Sequence, residues 1–74
     1  MDEYGKVYIN LEELIEEKGI SKTQLSYNAK LNHTQINRFC KGDAVRIDFN
    51  TIARLCTVLG CKVSDLIIYE PPKS

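Results

Sequence analysis

This 74-residue sequence predicts an all-helical domain of five short helices. Two regularities carry the expectation. Side-chain acceptors stand three residues ahead of Glu or Gln at Asn10/Glu13, Ser21/Gln24 and Asn32/Gln35, the spacing at which a helix start satisfies its free N–H groups. Apolar residues then recur every three or four positions, and Gly19, Gly42 and Gly60 stand where three of these runs end.

Taken in order, the first helix runs from Leu11 to Lys18, with Leu11, Leu14 and Ile15 on one face, glutamates on the other, and Gly19 as a left-handed cap. The second runs from Lys22 to about Ala29. Asn32 caps the third, His33 to Lys41, which turns Ile36 and Phe39 inward and stops at Gly42. Asp48 caps a fourth, whose buried stripe is Ile52, Leu55, Cys56 and Leu59 and whose end is Gly60. Ser64 is in place to cap a last short turn or helix through Leu66 to Ile68. Tyr4 to Ile9 alternates weakly and Ile67 to Tyr69 precedes Pro71-Pro72, so the two are candidates for a short terminal β-strand pair. Residues 1–74 are expected to form one domain, with 1–8 and 70–74 as its less ordered ends.

Apolar residues make up 43% of the chain and charged ones 27%, without repeats or low-complexity runs, which favours a folded globule over disorder. No stretch approaches the roughly 20 apolar residues that span a bilayer, and the acidic opening Met1-Asp2-Glu3 does not resemble a signal peptide. A cytoplasmic location without membrane attachment is therefore expected. Cys40, Cys56 and Cys61 are an odd number with no Cys-x-x-Cys pair, as fits reduced thiols. A metal or redox site built from them and His33 would need ligands converging from opposed helix sides, so no metal is expected. With a single His, no Gly-x-Ser-x-Gly turn and no glycine-rich phosphate loop, the sequence offers no catalytic constellation, no cofactor site and no evident small-molecule ligand.

The formal net charge of zero by itself argues against a nucleic-acid partner, yet it conceals a segregation. Residues 1–20 carry two lysines against six carboxylates. Residues 21–46 carry Lys22, Lys30, Arg38, Lys41 and Arg46 against Asp43 alone. A local basic field of this kind is the footprint that phosphate binding requires.

That basic segment coincides with a structural motif. Only Lys30-Leu31-Asn32 joins the second and third helices, a connection that makes them cross steeply, as in a helix-turn-helix over 22–41. Leu25, Ala29, Leu31, Ile36 and Phe39 must converge for the crossing to hold, with the small Ser26 at the point of closest approach. The ending Ile52-Ala53-Arg54-Leu55-Cys56-Thr57-Val58-Leu59-Gly60-Cys61-Lys62-Val63-Ser64-Asp65-Leu66 and the opening Asn10-Leu11-Glu12-Glu13-Leu14-Ile15-Glu16-Glu17-Lys18-Gly19-Ile20-Ser21 resemble the Cro/C1-type (XRE-like) helix-turn-helix regulators, especially short single-domain bacterial ones. The resemblance spans about Ile9 to Tyr69. It implies a five-helix, lambda-repressor-like DNA-binding fold, operator binding and, usually, a two-fold dimer. One departure stands out: these regulators usually have Gly in the turn where this chain has Lys30, so either Lys30 absorbs a positive φ or the turn is reshaped.

With Ile36 and Phe39 inward, His33, Thr34, Asn37, Arg38 and Lys41 line the opposite side of the third helix. Candidate base contacts are His33, Thr34, Asn37 and Arg38. A guanidinium matches guanine O6 and N7, Asn37 can pair with adenine or reach a phosphate, and His33 and Thr34 occupy the start of the helix, where such motifs place base-reading groups. Candidate phosphate contacts are Lys22, Gln35, Lys41 and Arg46, with Gln35 equally suited to a plain capping role. The expected function is sequence-specific binding of double-stranded DNA by a homodimer on a palindromic operator, regulating transcription. Exposed parts of Val58, Leu66, Ile67 and Tyr69, with the Tyr4 to Ile9 strand, are the suggested dimer surface. The competing classes are a protein-binding module, antitoxin-like or anti-repressor, using the same surface, and a thiol switch.

Overall fold

The computed structural model describes residues 3–42 and 46–73. Positions 1–2, 43–45 and 74, which include Asp43 and parts of both chain ends, lie outside the described residues. In chain order the elements are β1 (Lys6–Ile9), α1 (Leu11–Lys18), α2 (Lys22–Ala29), α3 (His33–Lys41), α4 (Phe49–Leu59), α5 (Val63–Leu66) and β2 (Ile67–Glu70). The two strands pair antiparallel, with Val7 opposite Tyr69 and Ile9 opposite Ile67. One core joins Leu11, Leu14 and Ile15 of α1 to Leu25 and Ala29, Leu31, Ile36 and Phe39, Leu55 and Leu59, and Leu66.

Two of the anticipated capping boxes form fully. The Ser21 hydroxyl accepts from the Gln24 N–H at 3.1 Å while Gln24 Oε1 accepts from the Ser21 N–H at 3.2 Å. Asn32 and Gln35 repeat the exchange at 2.8 and 3.2 Å. Asp48 Oδ1 accepts from the Thr51 N–H at 2.7 Å and starts α4.

Asn10 departs from the expected box. Its backbone, at φ −97 and ψ 49, lies outside the extended region a capping side chain needs, and its side chain makes no cap bond. The residue instead ties the emerging α1 to the far end of the chain, donating from its N–H to the Leu66 carbonyl at 2.7 Å and from Nδ2 to the Asp65 carbonyl at 3.4 Å.

The last helix is also displaced from its anticipated place. Lys62, not Ser64, precedes α5, and its N–H donates to Asp65 Oδ2 at 3.0 Å. The helix ends at Leu66, because β-branched Ile67 adopts an extended backbone and joins β1. Leu66 is fully buried in the core, so it contributes nothing to an exposed dimer surface.

The buried stripe of α4 is rotated one residue from expectation, running through Thr51, Leu55 and Leu59 with Ile52 and Cys56 half-buried beside it. A buried threonine is tolerated there because its hydroxyl accepts from Arg54 Nη2 at 3.3 Å. At the open end of the strand pair a Cβ at Gly5 would collide with the Glu70 carbonyl and the Tyr69 ring, so only glycine lets the two ends come this close.

Candidate nucleic-acid interface

The α2–α3 turn sets the geometry of the site. Lys30 adopts φ 57 and ψ 46, the one non-glycine residue with positive φ among those described, so it absorbs the left-handed conformation and the turn keeps its shape. The N–H groups of Lys30 and Leu31 both donate to the Ser26 carbonyl, and the Ser26 hydroxyl donates back to the Leu31 carbonyl. Ser26 thereby satisfies the polar groups of the turn at the point where a larger side chain would hold the helices apart. Leu25, Ala29 and Ile36 are completely buried behind this turn, with Leu31 and Phe39 nearly so, and together they fix the crossing of α2 and α3.

Anchoring Ile36 and Phe39 leaves His33, Thr34, Gln35, Asn37, Arg38 and Lys41 exposed along the outer side of α3. Asn32 and Gln35 begin that helix through their reciprocal bonds, so the Gln35 carbonyl oxygen serves the cap. Lys22, at the start of α2, is half-buried and reaches across to α3, where its Nζ donates to Asn37 Oδ1 at 3.3 Å. Arg46 is exposed in the connection that precedes α4. Seven of the eight predicted contact residues therefore lie on α2 and α3, Gln35 among them with its amide oxygen engaged in the cap, whereas Arg46 stands on a separate segment.

The electrostatic boundary of the surface is drawn at Cys40. Burial pushes its thiol above the ordinary range, with the Lys22 ammonium pulling it down and the Glu12 carboxylate pushing it up. Beyond Glu12 an open groove, lined by Tyr8, Glu12, Glu13, Glu16, Cys40 and Lys41 among others, carries the acidic face of α1. Lys22, Arg38 and Lys41 stand on α2 and α3, and the carboxylates Glu12, Glu13 and Glu16 on α1. The other two thiols meet at the end of α4: the Cys61 N–H donates to the Cys56 carbonyl at 3.1 Å, and burial followed by the neighbouring Cys56 raises the Cys61 thiol.

Sequence reasoning missed the Lys22–Asn37 bond, because two polar residues 15 apart in the chain leave no periodic signal. It also missed Thr51 and Arg54, whose Nε is buried without a partner in the described structure.

Two helices crossing on a short, fully bonded turn, the second presenting a polar and basic side to solvent, define a helix-turn-helix domain. Residues 10–72 match the family model of the Cro/C1-type HTH DNA-binding domain, and the chain belongs to that family. It is thus a DNA-binding regulator of the Cro/C1 class. No curated protein matches the sequence. Among solved structures the fold is similar to that of a provisionally assigned DNA-binding protein from Bacteroides fragilis, at TM-score 0.77 and 14% identity over 85% of this chain and 100% of the other. Among the described residues no helix is long and apolar enough to cross a membrane.

Proposed function

We propose that the protein binds a palindromic operator as a homodimer, in the cytoplasm and without catalytic activity, the whole chain acting as one domain. Each α3 enters a major groove, and the two helices are about 10 base pairs apart along the duplex. The carrying observation is the exposed row His33, Thr34, Asn37, Arg38 and Lys41 standing directly over the buried Ile36 and Phe39. Arg38 reads guanine through its two-pronged guanidinium, and His33 and Thr34 read at the helix start. Lys22, Gln35, Lys41 and Arg46 hold the backbone and set the register. For the dimer contact, the strand pair offers Val7 and Tyr69, which sit opposite one another with 64% and 61% of their surfaces exposed. Their exposure supports an isologous pairing of this face with its copy.

Selection of bound duplexes from a random pool tests this. Two inverted half-sites about one helical turn apart are expected, with affinity falling as salt rises at a log–log slope of about −5 for the three phosphate-facing cations of each of two protomers. A single enriched half-site would overturn the dimer. Retention on no duplex, with tight retention on a protein partner, would replace the DNA function with the protein-binding one.

A further inference from the structure

We propose that Lys22 and Asn37 form a two-donor seat for one DNA backbone phosphate, with Lys22 holding the Asn37 amide so that position 37 grips the backbone and does not read a base. The inference rests on the DNA-binding function above and specifies what one of its residues does.

An asparagine that reads adenine uses both ends of its amide, accepting from the N6 amino group through Oδ1 and donating to N7 through Nδ2. Here Oδ1 accepts from the Lys22 ammonium at 3.3 Å. One lone pair is occupied, and a full positive charge lies next to the other. An adenine amino group arriving at that oxygen would face the ammonium head-on. The opposite end of the amide carries two N–H donors with no partner among the described hydrogen bonds, and the half-buried Lys22 keeps further N–H groups beyond the one given to Asn37. Two sets of donors, one of them cationic, fit an anionic oxygen acceptor.

Position separates a phosphate from a guanine edge as that acceptor. Lys22 is the first residue of α2, and in helix-turn-helix docking the first helix of the pair crosses the sugar-phosphate backbone while the second lies in the groove. A side chain of α3 bonded to the start of α2 is therefore on the backbone side of the recognition helix. Arg38, His33 and Thr34 make no hydrogen bond of this kind among the described residues and remain available for bases. Lys22 is a positioning residue as well as a charge: without it the Asn37 amide turns freely and its donors lose their aim.

The test measures affinity for the selected duplex and for every single-base variant of it. Asn37→Ala is expected to weaken binding roughly tenfold per protomer on all of them alike, leaving the order of preference unchanged. Asn37→Asp should lose more, since a carboxylate would sit against the phosphate. Lys22→Met should lower affinity uniformly and reduce the salt slope by about one per protomer. Adding Asn37→Ala to it should then have almost no further effect, and Lys22→Arg should restore binding. In the free protein, Lys22→Met should move the Asn37 side-chain NH2 signals in a 1H–15N spectrum. A change of preferred base at one position in Asn37→Ala, independent multiplying effects of the two substitutions, or Asn37 amide signals indifferent to Lys22 would each overturn the proposal. If wild-type protein enriches no duplex while these signals still respond to Lys22, the underlying DNA function has failed and the positioning contact stands.

Discussion

Replacing Lys30 by glycine is predicted to stabilise the protein. Lys30 holds φ 57, a conformation that costs an L-residue about 1–2 kcal/mol because Cβ crowds the following carbonyl. Glycine removes that crowding but gains freedom in the unfolded chain, which gives back about 0.4–1 kcal/mol. The Lys30 side chain is exposed, so no packing is lost with it. The net gain is about 0.5–1 kcal/mol, or roughly 4 °C in Tm for a chain of this size. Thermal unfolding followed by circular dichroism, with urea titration alongside, reads the effect. Lys30→Ala is the control, since it removes the same charge and stem but retains Cβ, and it should leave Tm near the wild-type value. Equal shifts in the two variants would assign the effect to charge, and a lower Tm for the glycine variant would refute the strain account. Because the turn already has its glycine-like shape, the order of base preference should not change in Lys30→Gly.

Three further outcomes follow from the same contacts. Ser26→Ala leaves the Leu31 carbonyl without its hydroxyl donor inside the turn, and should lower unfolding free energy by about 1–2 kcal/mol in urea. Leu66→Ala removes a fully buried side chain beneath the junction of α5 and β2, and should destabilise by about 3 kcal/mol, with faster amide exchange in the Lys6–Ile9 strand. Bonds from Thr51, from its side chain first and then its backbone, hold the Asp48 carboxyl below the usual carboxylate range. Its stabilising effect is therefore full above the unfolded value near pH 3.9 and is lost as pH falls through the lower folded value; a carboxyl NMR titration should find the depressed midpoint, and Asp48→Asn should flatten that part of the acid unfolding curve.

Helix starts and stops were legible in the residues wherever the local chain alone decides them. Ser21/Gln24, Asn32/Gln35, Asp48, Gly19, Gly42 and Gly60 act within one turn of themselves, and tertiary contacts do not override them. Asn10 departs from its box because partners more than 50 residues away, Asp65 and Leu66, claim it before it can cap anything, and Ser64 is not the cap because the Lys62 N–H bonds to Asp65 Oδ2 and α5 starts at Val63. Thr51 is missing from the expected stripe of α4 because a hydroxyl on a buried face is acceptable only once Arg54 reaches it. For the interface, helical periodicity was enough to separate Ile36 and Phe39 from the polar side of α3. The Lys22–Asn37 bond depends on the crossing angle of two helices, which no spacing along the chain encodes.

The acidic face of α1 lies beside this surface. Glu12, Glu13 and Glu16 line the groove adjoining Cys40 and Lys41, so the zero net charge of the sequence becomes a molecule with one side attractive and one side repulsive to phosphate. On the proposed function, that asymmetry would favour approach of the duplex along α3 over approach along α1, an orienting effect expected to fade as salt screens it over about 10 Å at 0.1 M.

On the proposed function, the outer side of α3 enters the duplex. Titrating 15N-labelled protein with the selected duplex measures this directly: the signals of His33, Thr34 and Arg38 are predicted to shift most, while those of Glu13, Glu16 and Glu17 stay in place. Shifts concentrated on the α1 face or on the strand pair, with the α3 signals unmoved, would contradict it.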